Sequence, residues 1–328
     1  MWQVIELQIH MHKILITGAS GFVGTAVCEA LTGRGIPFVA TVRSQRTAWQ
    51  YQVGELNGAT DWHAALAGCD VVMHLAARVH VMHETAADAL SAYREVNVAA
   101  TMNLARQAHM NGVKRFVFVS SVKVNGEATG QRPFSSADQP APLDPYGISK
   151  LEAETALQEF ARNSGMELVI IRPPLVYGPG VRANFQLLMK LVQRGVPLPL
   201  GSVDNRRSMV ALDNLVDLLI LCCSHGAAPG QIFMVSDDHD VSVSTLLHML
   251  ARAMGKRPRL LSVPTSWIAA AAALLGKSTQ ADRVLGSLQV DITHTKQTLN
   301  WKPQVGMQQA IDKTVASFLS SIHASVVK

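Results

Sequence analysis

From Lys13 onward, short apolar runs punctuate the chain: Lys13–Thr17, Pro37–Val42, Val71–Leu75, Phe116–Ser120 and Leu168–Arg172, each bounded by glycine or polar residues. Runs of this length with no polar alternation have both faces covered, which is how strands of a parallel sheet read. Between them lie longer segments of helical period, Gly24–Thr32, Ala86–Met110 and Ser149–Asn163. Strand, helix, strand repetition of this kind predicts an α/β fold with a doubly wound parallel sheet. After Arg172 the texture changes to Pro-Pro-Leu-Val-Tyr-Gly-Pro-Gly, then to shorter helices and the Pro-rich segment Val196 to Leu200. A boundary near 173 therefore divides a sheet domain, residues 11–172, from a smaller C-terminal α/β lobe, residues 173–328, some segments of which are expected to return to the sheet. No internal repeat is visible. The Ala-rich stretch Ala269–Ala273 is expected to be a tightly packed helix. The apolar run around it, Trp267 to Leu275, is far shorter than the roughly 20 residues a bilayer span requires.

At 328 residues the chain is long enough for about two lobes, and its 48% hydrophobic and 16% charged content excludes disordered and fibrous classes. Twenty-nine Lys and Arg against 24 Asp and Glu give +5, but the cations are scattered and form no run that would track nucleic acid. A few Arg in one cleft would suit a small diphosphate equally well. Four cysteines without CxxC spacing point to reduced core thiols and a cytoplasmic protein. His80 and His83 lack a third ligand, so no metal is expected. Residues 1–10 lack the pattern of a signal peptide and precede Met11-His12-Lys13-Ile14, which reads as a natural start; they are taken as an upstream start or short extension.

Candidate chemistry begins where the first strand meets Gly18-Ala-Ser20-Gly21-Phe22-Val23-Gly24 and then a helix. That context makes the glycines a dinucleotide fingerprint of the Rossmann type. Gly18 serves the tight turn, Gly21 the approach of backbone to pyrophosphate, Gly24 the contact of helix with strand. A pocket choosing a ribose 2′-hydroxyl needs a carboxylate about 20 residues on. None occurs between Glu29 and Glu55; Arg43, with Ser44 and Arg46, stands there instead. Arg43 suits a 2′-phosphate, which favours NADP(H) with NAD(H) as the other candidate, or else it stacks on adenine.

Tyr146-Gly-Ile-Ser-Lys150 sets a phenol and an ammonium one helical turn apart. A cation close to the phenol would favour phenolate and bring Tyr146 toward neutrality. The strand ending at Ser120-Ser121 offers a hydroxyl to the same substrate oxygen.

With these motifs in place the chain, from 11 to about 320, resembles the extended short-chain dehydrogenase/reductases, in particular the NAD-dependent epimerase/dehydratase group acting on nucleotide sugars. The resemblance rests on residues 17–24, His74-Leu75-Ala76-Ala77, Asn97, Ser120-Ser121, Tyr146 to Lys150, Arg172-Pro173-Pro-Leu-Val-Tyr-Gly-Pro179 and Leu299-Asn-Trp301-Lys-Pro303. It implies catalytic Ser121, Tyr146 and Lys150, with Tyr146 exchanging a proton with the sugar O4 while C4 exchanges hydride with nicotinamide. It also implies cofactor contacts from Glu55, Leu56, Leu75, Ala76, Ala77, Asn97 and Pro173 besides the glycine loop, Arg43, Tyr146 and Lys150. Lys123, Asn184, Arg207 and Arg283, with Ser121, would hold the UDP-sugar; Arg207 and Arg283 could equally be surface ion pairs. Homodimerisation through Ala86–Met110 and Ser149–Asn163 is implied in the same way.

A 4,6-dehydratase carries an Asp-Glu pair directly after the catalytic Ser or Thr, whereas this chain has Val122 and Lys123. C4 redox chemistry remains. Asn125 replaces a Tyr of many relatives and would reshape the sugar pocket. The segments around Ser121 and Tyr146 are similar to the subgroup encoded with O-antigen genes, including UDP-N-acetylquinovosamine 4-reductases. The first expectation is thus a reductase of a UDP-4-keto-6-deoxy-N-acetylhexosamine in surface polysaccharide synthesis. The second is a UDP-hexose or UDP-N-acetylhexosamine 4-epimerase with bound NAD, and the third is a nucleotide-binding regulator without chemistry.

Overall fold

Each apolar run becomes a strand: β1 Ile14–Thr17, β2 Phe38–Val42, β4 Val71–His74, β5 Arg115–Val119 and β6 Glu167–Arg172. The computed structural model describes residues 12–45, 47–48, 50–79 and 86–326. The N-terminal extension, Arg46, His80 and His83 lie outside them. Pattern reading misses the two edge members, β3 Gln50–Gln52, a polar strand that buries too little to leave an apolar run, and a three-residue strand at Ile232–Met234. Strands β7 Leu175–Tyr177 and β8 Met209–Ala211 pair with each other, and β9 Ile232–Met234 closes the main sheet. That sheet runs β3-β2-β1-β4-β5-β6-β9 with every pair parallel. The order reverses between β1 and β4, which is where such sheets open a ligand crevice at their carboxyl ends.

Helices cover both faces. On one side α1 Phe22–Gly33 packs beside a helix from the second half of the chain, through Val27, Cys28 and Leu31 against the same core as Leu215 to Cys223. On the other side lie a short helix His63–Leu66 (α2) and a long one that the sequence presents as Ala86–Met110. The latter is α3 Ala86–Arg94 and α4 Ala100–Met110 joined by one π-helical turn, Glu95–Ala99. Next to it runs α5 Pro145–Ser164, which starts four residues before its apolar pattern because Asp144 caps it, Oδ1 accepting from the Gly147 N–H at 2.7 Å.

Beyond β7, α6 Ala183–Arg194 precedes α7 Leu212–Ser224, which with β9 joins the main sheet core. Helices α8 Val243–Ala253, α9 Thr265–Leu274, α10 Ser278–Leu285, α11 Thr293–Leu299 and α12 Met307–Val326 follow. A second core gathers Phe185 and Met189 of α6, Leu246, Leu247 and Leu250 of α8, and Ile311 and Val315 of α12. The expectation of a tightly packed Ala269–Ala273 helix is overturned: none of α9 is buried, and Trp267 and Leu274 stand 70% and 89% exposed. Periodicity reports that a segment is apolar, not that anything lies over it. Among the described residues no helix is long and apolar enough to cross a membrane.

Candidate active site

A cleft of about 740 Å³ opens over the carboxyl ends of β1, β2 and β4 to β6, within the size range of a cofactor site. The glycine loop forms its floor. Gly18 has φ +69°, and a Cβ there would sit 2.9 Å from the Ala76 N, so the loop lies directly against the strand end at Leu75 and Ala76. A Cβ on Gly24 would lie 2.1 Å from the Gly18 O, which is why α1 can start so close under the turn. The first turn of α1 carries no acidic side chain and Gly21 caps it without a side-chain bond, leaving N–H groups and the positive helix end for an anion.

Thr17 holds the facing wall. Its Oγ1 accepts from the Leu75 and Ala76 N–H groups, both at 3.1 Å, so its proton goes to His74 Nδ1 at 2.7 Å. His74 Nε2 must then carry hydrogen and donate to Thr101 Oγ1 at 2.9 Å. Burial, with the Lys150 charge adding, lowers His74 to about 3, so the ring is a neutral strut. Nothing local in the sequence marks this role, because the hydroxyls that hold the ring are 57 and 27 residues away.

Residues 18, 20–24, Arg43, Glu55, Leu56, Leu75, Ala76, Ala77, Ser121, Tyr146, Lys150 and Pro173 all line this cleft. Asn97 does not. It sits on the π-turn, 1% exposed, where Oδ1 accepts from the Arg78 N–H at 2.8 Å and Nδ2 donates to the Arg78 O and to Ser149 Oγ. Its side chain therefore clamps the cleft wall to α5 rather than facing a ligand. Glu55 is the residue whose reach the linear argument underestimates. Its Oε2 lies 4.0 Å from Arg43 Nη1, so a carboxylate does stand beside Arg43 in the cleft, three residues beyond β3.

Strand β5 delivers Ser121 and α5 delivers Tyr146 and Lys150. Ser121 and Tyr146 both line the cleft, and Tyr93 of α3 packs edge-on to the phenol ring at 6.1 Å. Burial pushes the phenol above its ordinary value, Asp144 and Tyr93 add to this, and the Ser121 hydroxyl opposes it. The expected help from Lys150 is not realised in this geometry. Its Nζ points to the Val119 O at 2.8 Å and lies 4.4 Å above the Phe118 ring. The physical reason is that a 2% exposed ammonium must take the nearest carbonyl and π face as solvent.

Burial also lowers Lys150 from 10.5 to about 7, with Glu154 pulling upward. Between pH 7 and about 10 the unfolded chain thus holds a proton the folded one lacks, and folding gains as pH rises. A Lys150→Met variant is expected to be more stable than the parent at neutral pH, with the difference shrinking by about 1.4 kcal/mol per pH unit toward pH 10. Denaturant unfolding at several pH values checks it, and a constant difference would refute the buried ammonium.

The cations that the resemblance assigns to the UDP-sugar, Lys123, Arg207 and Arg283, lie outside the cleft and are linked to one another. Lys123 bonds Asp144 and, at 3.0 Å, Glu127 Oε1; Glu127 Oε2 lies 3.8 Å from Arg283 Nε. Arg207 Nη1 donates to the Arg283 O and Gly286 O, and burial lowers its guanidinium. Burial alone would raise Asp144, but Lys123 and the Gly147 N–H hold it below the ordinary carboxylate range. Asn184 stands exposed at the start of α6. Asn125, expected to reshape the sugar pocket, instead points inward: Oδ1 accepts from Arg172 Nη1 and Nδ2 donates to the Ser135 O, both at 3.0 Å. All four cysteines are buried free thiols, and no cluster of three metal-ligating residues occurs among the described residues.

Residues 14–236 match the model of the NAD dependent epimerase/dehydratase family. The chain belongs to that family. It is 48% identical over 315 residues to a Vibrio cholerae protein named UDP-glucose 4-epimerase, covering 94% of this chain and 96% of that protein. It is 31% identical over 258 residues to N-acetyl-alpha-D-glucosaminyl-diphospho-ditrans,octacis-undecaprenol 4-epimerase of Escherichia coli O157:H7, covering 77% and 75%. In fold it is similar to UDP-glucuronic acid 4-epimerase from Bacillus cereus in complex with NAD, with TM-score 0.76 over 94% of this chain and 99% of that one, at 22% identity. The cleft fits the nicotinamide dinucleotide of such enzymes. The Gly18 and Gly24 positions have no room for a Cβ, the α1 N–H groups are free of side-chain caps, and the buried Ser120 Oγ has no partner among the described residues.

Proposed function

We propose that this chain is a UDP-sugar 4-epimerase working with a tightly held nicotinamide dinucleotide. The placement of Ser121, Tyr146 and Lys150 in the same cleft as the glycine loop carries the reading. Bound nicotinamide supplies the hydride acceptor and donor. Tyr146 takes the O4 proton as phenolate and returns it as phenol, Ser121 is assigned to O4 beside it, and Lys150 is assigned to the nicotinamide ribose. The linked cations Lys123, Arg207 and Arg283 are assigned to the diphosphate of the substrate. The likeness to the Vibrio cholerae 4-epimerase supports this reading, as does Glu55, whose carboxylate reaches the adenosine end and suits the ribose hydroxyls of NAD. A cytoplasmic homodimer with α3, α4 and α5 at its seam belongs to the same proposal.

Arg43 favours a second reading, NADPH-dependent reduction of a UDP-4-keto-6-deoxy-N-acetylhexosamine. Its side chain is 71% exposed and paired only loosely with Glu55, which leaves the guanidinium for a 2′-phosphate. The two readings separate in one assay. An epimerase interconverts UDP-GlcNAc and UDP-GalNAc, or UDP-glucose and UDP-galactose, with no net change at the nicotinamide absorbance band. A reductase consumes NADPH in step with the keto sugar and leaves those pairs untouched. Arg43→Ala then tests the cofactor: loss of a charge-assisted phosphate contact is expected to weaken NADPH about ten- to hundredfold and NADH little. An equal effect on both would assign Arg43 to the adenine face.

A further inference from the structure

Helix α9 is apolar on every side and covered on almost none. From Trp267 to Leu275 it reads Trp-Ile-Ala-Ala-Ala-Ala-Ala-Leu-Leu, and only Ile268 leans on the lobe core. Trp267, Leu274 and Leu275 are 70%, 89% and 71% exposed, and Leu261 just before the helix is 53% exposed. A helix apolar all round is ordinarily interior or lies in lipid, and this one is not interior. The sequence on either side of it is rich in cations, with Asp240 and Asp282 the nearest acids along the chain. Residues 241–281 hold five basic residues, Arg252, Lys256, Arg257, Arg259 and Lys277, and no Asp or Glu. All five are exposed; Arg257 and Arg259 lie in the segment before α9 and Lys277 three residues after it.

We propose that α9, with Arg257 and Arg259 in the segment before it and Lys277 after it, docks this enzyme on the surface of an anionic phospholipid bilayer. Ten residues make a rod of about 15 Å, half a bilayer core, so the helix lies in the interface plane. Trp267 suits the headgroup boundary, the leucines the acyl side, and the cations the lipid phosphates. A second copy of the chain is the poorer occupant. A two-fold contact through α9 would bring the same acid-free cations against each other, and one short helix supplies little of the roughly 800 Å² per partner that a stable interface buries. Because α10, packed on α9, carries Arg283, docking would turn the substrate lobe rather than the sheet toward the membrane. The inference stands whether the enzyme is an epimerase or a reductase.

The test is cosedimentation of the full-length protein with phosphatidylcholine vesicles, with and without phosphatidylglycerol. Binding only to the anionic vesicles, reversed by salt and accompanied by a blue shift of tryptophan emission that Trp267→Phe removes, is the expected result. The double variant Leu274→Glu with Leu275→Glu should bind more than about tenfold more weakly and keep its sugar-nucleotide activity. Arg257→Gln with Arg259→Gln and Lys277→Gln leaves the apolar face intact and should weaken anionic binding about tenfold. Parent protein that stays in the supernatant, equal binding to both vesicle types, or variants that sediment like the parent would overturn the proposal. So would a change of oligomeric state in the leucine variant by light scattering, which would give the helix to a second copy.

Discussion

A Tyr146→Phe variant is expected to lose about 10²- to 10⁴-fold in turnover while binding nicotinamide dinucleotide nearly as tightly as the parent. The substitution removes one oxygen. Its ring still packs against Tyr93, and the glycine loop, Thr17 and the Leu75 to Ala76 wall, to which the dinucleotide is assigned, are untouched. Only the hydroxyl proposed to take and return the O4 proton is gone. Equilibrium binding of the cofactor beside steady-state turnover separates these contributions. Turnover within a factor of ten of the parent would remove Tyr146 from the acid/base role, whichever direction the C4 chemistry runs.

Substituting Glu154 by leucine is expected to destabilise the protein by about 3–5 kcal/mol, read as a drop in the denaturant midpoint. Glu154 and Arg172 are 1% and 2% exposed. Arg172 is held by Glu154 through two bonds, Nε to Oε1 at 3.0 Å and Nη2 to Oε2 at 2.5 Å, and by Asn125 through a third. Leucine would leave the guanidinium buried with a single neutral acceptor. The double variant Glu154→Leu with Arg172→Met should recover part of the loss, because a buried pair costs desolvation that two apolar side chains do not. Equal loss in both would place the effect in packing alone. There is a further consequence at the site: Glu154 is the charge that holds Lys150 up, so its removal pushes the ammonium lower still.

The sheet was legible because five strands buried on both faces write themselves as unbroken apolar runs, and the glycine loop because its turn tolerates no side chain. The edge strand β3 was not, since Gln-Tyr-Gln buries almost nothing. Tyr93, Thr101 and Ser149 act on the site from segments whose sequence shows only helical period. No local signal distinguishes a helical tyrosine that braces another tyrosine from one that faces water.

The sequence by itself determined the fold class through its apolar runs, and the dinucleotide loop and the Tyr146 to Lys150 pair through spacings of a few residues, while Ser121 joined them through the family resemblance. Tertiary structure alone decided that Asn97 clamps a wall, that Asn125 turns to Arg172, that Glu55 reaches Arg43 and that α9 lies bare. Those outcomes depend on which groups meet across tens of residues, where burial and partner geometry, rather than local pattern, set the free energy of each side chain.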